Sequence, residues 1–218
     1  MIARCMSILT FLLLMLLNAP TALAKTFTIG LDLSGSSPLS VPVFAKAAAG
    51  RLHAELTKLQ PGDFVYVRTI GDRGFANLPF KKIRIDRRNR ASKVAEQIAG
   101  FIANLPSKAM EPQGSTNLLN FLMYGRDFGC DANDSSEIYL ITDGLEHSEF
   151  ITAKALLSGK PLPPPRKTDY LVGCSLTMDG FGANSGGNLP LAAIDKAQAA
   201  WEAYATLAGV SKFDPIRP

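Results

Sequence analysis

The sequence predicts an α/β protein built on one mostly parallel sheet with helices on both faces. Short apolar segments alternate along the chain with segments of helical periodicity, which is typical of repeated strand-helix units. These segments are nearly continuous in apolar residues, as expected of strands buried on both faces. Two of them end in aspartate, at Asp32 and Asp143. Ligands of such sheets bind outside the carboxyl ends of the strands, so these two ends are the first candidates for a site.

The amino-terminal segment, residues 1–24, has the features of a signal peptide. A positive charge at Arg4 precedes the apolar segment 8–17, and small residues follow at 22–24. The apolar segment is shorter than the roughly 20 residues that a membrane-spanning helix needs. We therefore expect cleavage before Lys25 and an exported protein, periplasmic or secreted, with no stable membrane span. An uncleaved membrane anchor is the alternative interpretation.

The remaining residues, 25–218, are predicted to form a single domain, since this length supports one well-buried core. With 47% hydrophobic and 19% charged residues, the chain has the composition of a globular protein. Its net charge of +4 is mild and, in an exported protein, favours acidic partners over nucleic acid. The densest basic segment, 81–90, fits a solvated sheet edge and helix start better than a nucleic-acid interface.

The first half of the domain is predicted to contain three strands and two helices. Residues 26–32 and 63–70 are short segments rich in β-branched and aromatic side chains, and a weaker strand is expected over 82–85. Apolar residues recur at helical spacing between Phe44 and Leu59, and again over 89–105. Together these segments predict a β-α-β-β-α order.

The second half is predicted to continue the alternation of helices and strands. Ser115 and Thr116 are expected to cap a short helix, and Gly209 is expected to end the last one. Only a poor strand candidate follows at 211–213, so a sixth strand is in doubt. The predicted elements are a short helix at 117–124, a strand at 137–142, a second strand at 169–176, a glycine-rich loop at 178–188 and a final helix at 191–207.

Two cysteines remain after removal of the signal peptide, Cys130 and Cys174. In an oxidising compartment they can form one disulfide, and two buried thiols are the alternative. Metal binding by this pair is not expected, because there is no Cys-x-x-Cys pair and the only histidines are His53 and His147.

Oxygen-bearing side chains follow the predicted strands in three places. Asp32 is followed at alternate positions by Ser34 and Ser36, Thr116 opens a helix, and Asp143 ends a strand. We expect these side chains to converge at one edge of the sheet. Oxygen donors without nitrogen or sulfur select hard cations, with Mg²⁺ expected first and Mn²⁺ or Ca²⁺ as alternatives. Two carboxylates just neutralise such an ion, so an acidic residue of a protein partner can complete its coordination.

The three motifs are DLSGS at 32–36, GSTN at 114–117 and ITDG at 141–144. In this order they resemble the metal-ion-dependent adhesion site of von Willebrand factor type A domains, and the resemblance covers about residues 27–176. It implies a doubly wound sheet with one antiparallel edge strand, which leaves a carboxyl-terminal loop and helix over 177–218.

The resemblance also implies a role for each candidate ligand. Ser34 and Ser36 would bind the metal directly, Thr116 directly or through water, and Asp32 and Asp143 largely through water. The function implied is that of a non-enzymatic module that binds a partner protein through the metal.

Two other interpretations stay open. A Mg²⁺-dependent phosphohydrolase of the haloacid dehalogenase type also places aspartates at strand ends. It normally needs a second carboxylate two residues after the first, where this sequence has Ser34. The other interpretation is the same fold without a metal, in which Asp32 and Ser34 only cap the following turn.

Overall fold

The computed structural model describes residues 24–71, 82–107, 113–123, 128–131 and 136–217. The predicted signal peptide, apart from Ala24, lies outside these residues, as do Lys81 of the basic segment and Tyr124 at the end of the predicted short helix. None of the helices in the described ranges combines the length and apolar character that crossing a bilayer requires.

A six-stranded sheet forms the centre of the fold. The strands of the chain are β1 (Thr26–Asp32), β2 (Phe64–Ile70), β3 (Ile83–Arg84), β4 (Glu137–Ile141), β5 (Ser175–Asp179), β6 (Ala183–Asn184), β7 (Gly187–Asn188) and β8 (Lys212–Ile216). The sheet has the order β3-β2-β1-β4-β5-β8, and β6 pairs with β7 in a separate hairpin. Within the sheet, β3 is antiparallel to β2 and the other neighbours are parallel. The mostly parallel sheet with one antiparallel edge strand is therefore confirmed.

Helices cover both faces of this sheet. They are α1 (Pro42–Leu56), α2 (Ala91–Ala103), α3 (Leu118–Met123), α4 (Ala153–Leu157) and α5 (Leu191–Ala208), with short 3-10 turns at Pro38–Ser40 and Leu105–Ser107. The apolar sides of α1 and α2 form one core with alternate residues of β1 and β2. The apolar sides of α3, α4 and α5 form a second core with β4 and β5 on the opposite face. The doubly wound arrangement is thus confirmed.

The central strand β1 fixes where the candidate site forms. All seven of its residues are buried, as expected of a strand flanked by neighbours and covered on both faces. In the parallel register Asp32 pairs with Ile70, and Leu31 pairs with Ile141. The chain therefore leaves β1 and β4 at the same level of the sheet, and Asp32 and Asp143 follow at one edge.

The strand predicted at 169–176 begins later in the structure. Residues before Ser175 form turns, because Asp169 has φ 56° and Gly173 has φ 83°, which interrupt an extended chain. Asp169 N–H donates to Leu207 O instead, at the end of α5. The glycine-rich loop likewise begins after β5 and contains the β6–β7 hairpin. Helix α4 was not predicted, since its five residues are too few for a helical period to show.

The sixth strand, in doubt from the sequence, is present as β8. It lies parallel to β5 and pairs Leu176 with Phe213 and Met178 with Pro215. A proline lowers the strand character of the segment, but it is tolerated at a sheet edge, where one side of the strand needs no donor. The final helix ends where expected, with Gly209 in the left-handed conformation at φ 81°.

The structure joins Cys130 and Cys174 in a disulfide, with their Cα atoms 5.1 Å apart. Cys174 is fully buried directly before β5. The bond therefore connects the segment that precedes β4 to the one that precedes β5. Of the two possibilities that the sequence left open, the disulfide is the one that the structure contains.

We predict that replacing both cysteines by alanine lowers the free energy of unfolding by roughly 2–4 kcal/mol. The bond closes a loop between residues 44 positions apart, and freeing a loop of this size adds about 4 kcal/mol of chain entropy to the unfolded state. Urea denaturation measures the change. The unmutated protein under strong reductant should fall to the same stability. An unchanged midpoint in both experiments would show that the bond does not constrain the chain.

Candidate metal centre

The loop after β1 folds into a tight turn around the carboxylate of Asp32. Its Oδ1 accepts the backbone N–H of Ser34 at 2.9 Å, and its carbonyl oxygen accepts the hydroxyl of Ser37 at 2.6 Å. The hydroxyls of Ser34 and Ser36 come to 3.3 Å from each other. The alternation of Asp32, Ser34 and Ser36 in the sequence thus places two hydroxyl groups side by side next to a buried carboxylate.

The second carboxylate, that of Asp143, enters the same site from the end of β4. Asp143 is fully buried, and its Oδ1 accepts the N–H of Leu145 at 2.9 Å. Its Oδ2 has no hydrogen-bond partner. Burial and then the nearby charge of Asp32 raise the pKa of Asp143 to about 7, although the hydrogen bond from Leu145 N–H lowers it. The site therefore contains two neighbouring acidic groups, and burial raises the pKa of both.

Thr142 connects the carboxylate of Asp32 to the backbone of the loop that carries Asp143. Its hydroxyl donates to Asp32 Oδ2 at 2.7 Å and accepts the N–H of Gly144 at 3.2 Å. Burial raises the pKa of Asp32, while the bonds from Ser34 and Thr142 lower it. Sequence reasoning missed Thr142, because a threonine at the end of a buried strand is ordinary and its partner lies far away in the chain.

Thr116 lies in a segment whose main chain is bonded to both of the other loops. Gln113 N–H donates to Leu33 O at 2.9 Å, and Thr116 exchanges two backbone hydrogen bonds with His147, at 2.9 and 3.2 Å. Thr116 itself is buried. The segment 113–116 therefore extends from the β1 loop to the β4 loop, and all five predicted residues belong to three segments that are bonded together.

The predicted cap of α3 is corrected by the structure. Asn117, rather than Ser115 or Thr116, accepts the N–H of Asn120 through its side chain, at 3.1 Å. A buried glutamate, Glu146, accepts the N–H of Leu119 at 3.1 Å, and burial raises its pKa to about 7. Thr116 therefore does not cap α3.

Gln113 and Gly71 form a close contact beside the site that sequence reasoning also missed. A Cβ atom on Gly71 would lie 1.6 Å from Gln113 Oε1, so a larger residue there would displace the Gln113 side chain. Gly71 also has φ 143°, which side chains rarely adopt. Gly71, directly after β2, therefore leaves room for the Gln113 side chain, which belongs to the segment that carries Thr116.

Trp201 contacts the same site from α5. It is the single tryptophan of the sequence, and its Nε1 donates to Gly144 O at 2.8 Å, beside Asp143. The residue is fully buried. Its fluorescence is therefore an intrinsic probe of changes at the end of β4.

The donor set fits a hard divalent cation. It combines two buried carboxylates with the neighbouring hydroxyls of Ser34 and Ser36, and oxygen donors of this kind suit Mg²⁺, Mn²⁺ or Ca²⁺. The Asp143 Oδ2 atom has no partner, and an unpaired buried carboxylate oxygen is costly. Within the described residues no cluster of three or more His, Cys, Asp or Glu side chains is suited to a metal, so hydroxyl groups and water would have to complete the coordination.

No protein-family model matches the chain, and no curated protein matches it. Among solved structures, it is similar to a von Willebrand factor type A structure from Catenulispora acidiphila, with 20% identity and a TM-score of 0.49 over 89% of this chain and 39% of that one. An aerotolerance-related membrane protein from Bacteroides fragilis NCTC 9343, with multiple mutations to serines, gives 18% identity and a TM-score of 0.45. The match covers 89% of this chain and 92% of that one.

The pilus adhesin SpaC from Lactobacillus rhamnosus GG, in an open conformation, gives 11% identity and a TM-score of 0.49 over 92% of this chain and 28% of that one. This chain thus spans only 39% of the first of these structures and 28% of the third. The likeness to all three concerns the fold.

We predict that Asp143→Asn stabilises the metal-free protein at pH 8. The pKa of Asp143 is raised from 3.8 to about 7, so the folded state binds more protons than the unfolded state between these values. The contribution of Asp143 to the free energy of unfolding is therefore greatest below about pH 4 and falls as the pH rises to about 7. Asparagine does not titrate, and the gain at pH 8 should reach a few kcal/mol, since one pKa unit corresponds to about 1.4 kcal/mol.

Urea denaturation in the presence of chelator, at pH 5 and at pH 8, measures this effect. The advantage of Asp143→Asn should be larger at pH 8 than at pH 5. Glu146 titrates in the same range, but it is present in both proteins and its effect cancels in the comparison. A variant less stable than the unmutated protein at pH 8 would show that the Asp143 carboxylate is a structural group.

Proposed function

We propose that this protein is a non-enzymatic interaction module that binds a partner protein through a divalent cation. The cation, Mg²⁺ in the first place, with Mn²⁺ or Ca²⁺ as alternatives, would be held by the predicted ligands Asp32, Ser34, Ser36, Thr116 and Asp143. The observation that carries the proposal is the burial of two adjacent carboxylates, one of them with an oxygen that has no partner. A bound cation would compensate both charges at once.

The charge of the site indicates the chemistry of the partner. A divalent ion facing Asp32 and Asp143 is just neutralised, and the other protein donors are neutral hydroxyl groups. The ion therefore keeps its capacity to bind a further anionic oxygen. A carboxylate on the surface of a partner protein is the group that fits, because it would complete the coordination and be recognised electrostatically.

An exported location, periplasmic or secreted, is part of the proposal. The amino-terminal segment 1–24 has the sequence of a signal peptide. The disulfide between Cys130 and Cys174 supports the same location, since such bonds persist in oxidising compartments.

The phosphohydrolase alternative is disfavoured by the surroundings of Asp32. Its carboxylate would have to act as the nucleophile, yet Oδ1 accepts from Ser34 N–H and Oδ2 from the hydroxyl of Thr142. The side chain is also fully buried, so a substrate phosphate could not approach it without a rearrangement of the loop. The residue two positions on is Ser34, which cannot serve as the general acid or base.

Isothermal titration with Mg²⁺ and with Mn²⁺ tests the proposal. We expect saturable binding by the unmutated protein, and a loss of at least about tenfold in affinity for Asp32→Ala and for Ser34→Ala, because each removes a ligand or its support. Ser40→Ala is the matched control: its hydroxyl donates to Ser37 O at 2.9 Å in the same loop, but it is not a proposed ligand.

Equal heats from the unmutated protein and from Asp32→Ala and Ser34→Ala would contradict metal binding at this site and favour the fold without a metal. Phosphate-ester turnover that disappears with the same substitutions would favour the enzyme instead.

A further inference from the structure

The β6–β7 hairpin lies against the turn that carries Ser34 and Ser36. The hydroxyl of Ser185 donates to Gly35 O at 3.0 Å, and the N–H of Ser185 donates to Ser36 O, also at 3.0 Å. Two successive carbonyl groups of the turn are thus held by one residue of the hairpin. These two contacts fix the orientation of the two peptide groups on either side of Ser36.

The same segment also contacts the loop after β4. Gly182 N–H donates to Asp143 O at 2.9 Å, and Gly182 O accepts the N–H of Leu189, which closes the base of the hairpin. At the tip, Asn184 Oδ1 accepts the N–H of Gly186 at 2.9 Å. The hairpin is therefore a small ordered element that contacts both carboxylate-bearing loops of the candidate metal centre.

We propose that Ser185 is a positioning residue of the metal centre, which holds Ser36 in the orientation that a bound cation requires. This inference rests on the proposed function. In the turn, Ser34 is buried, Gly35 is exposed and Ser36 is half-buried, so packing restrains Gly35 and Ser36 less than Ser34. Without Ser185, the turn would have to be ordered when the metal binds, and the entropy lost in that step would lower the affinity.

The effect should appear in metal affinity and hardly in the stability of the fold. Ser185 is itself exposed, and its hydroxyl touches the surface turn rather than either core. Loss of a hydrogen bond that orients a metal ligand typically lowers metal affinity by about 10-fold or more. Since the backbone N–H of residue 185 remains in an alanine variant, we expect the lower end of that range, about 10-fold.

The test compares Ser185→Ala, Ser185→Thr and Ser158→Ala in the full chain. Mg²⁺ is titrated by calorimetry and by the fluorescence of Trp201, and urea denaturation is measured with chelator. Ser185→Thr keeps the hydroxyl and should restore the affinity. Ser158 is a matched control, because its exposed hydroxyl also donates to a backbone carbonyl, that of Ala155 at 2.6 Å, on α4.

The proposal predicts weaker Mg²⁺ binding for Ser185→Ala alone, with the metal-free stability of all three variants close to that of the unmutated protein. Two results overturn it: Ser185→Ala that binds Mg²⁺ as tightly as the unmutated protein, or a loss of affinity matched by a loss of metal-free stability. If the unmutated protein itself binds no Mg²⁺, the proposed function fails, and this inference fails with it. If the unmutated protein binds Mg²⁺ and Ser185→Ala binds it equally tightly, only the positioning role is rejected.

Discussion

The central constraint on this structure is the burial of two carboxylates, Asp32 and Asp143, at the ends of adjacent parallel strands. Burial of a charge is costly unless it is paired, and two like charges in one site increase the cost. Hydrogen bonds from Ser34 and Thr142 offset part of it for Asp32, but Asp143 keeps an oxygen with no partner. A bound cation would offset both penalties at once, and this is the basis of the proposed metal site.

The surrounding fold is arranged to keep this placement. Parallel pairing of β1 with β4 brings the two loops to one level, and the backbone bonds of Thr116 connect a third segment to them. Trp201 of α5 and Ser185 of the hairpin contact the site from the carboxyl-terminal part of the chain. Segments from the whole length of the domain therefore meet at the same edge, which makes the site sensitive to changes far away in the sequence.

Local patterns made most of the sheet and the candidate ligands predictable from the sequence. A buried strand appears in the sequence as an apolar segment, and the alternation of Asp32, Ser34 and Ser36 falls within five residues. What escaped prediction depends on long-range contacts or on single backbone angles. The bonds of Thr142 and Ser185 join residues 110 and 150 positions apart, the late start of β5 follows from the positive φ of Asp169, and Pro215 obscured the edge strand β8.

The most direct measurement is anomalous X-ray scattering from crystals grown with Mn²⁺. This ion gives a clear anomalous signal, whereas that of Mg²⁺ is negligible. We predict one strong peak within coordination distance of the Ser34 and Ser36 hydroxyls, with Asp143 Oδ2 turned toward the ion or bridged to it by water. A peak that lies elsewhere, or an ordered water alone at this position in crystals that contain Mn²⁺, would contradict the assignment of these carboxylates to a metal centre.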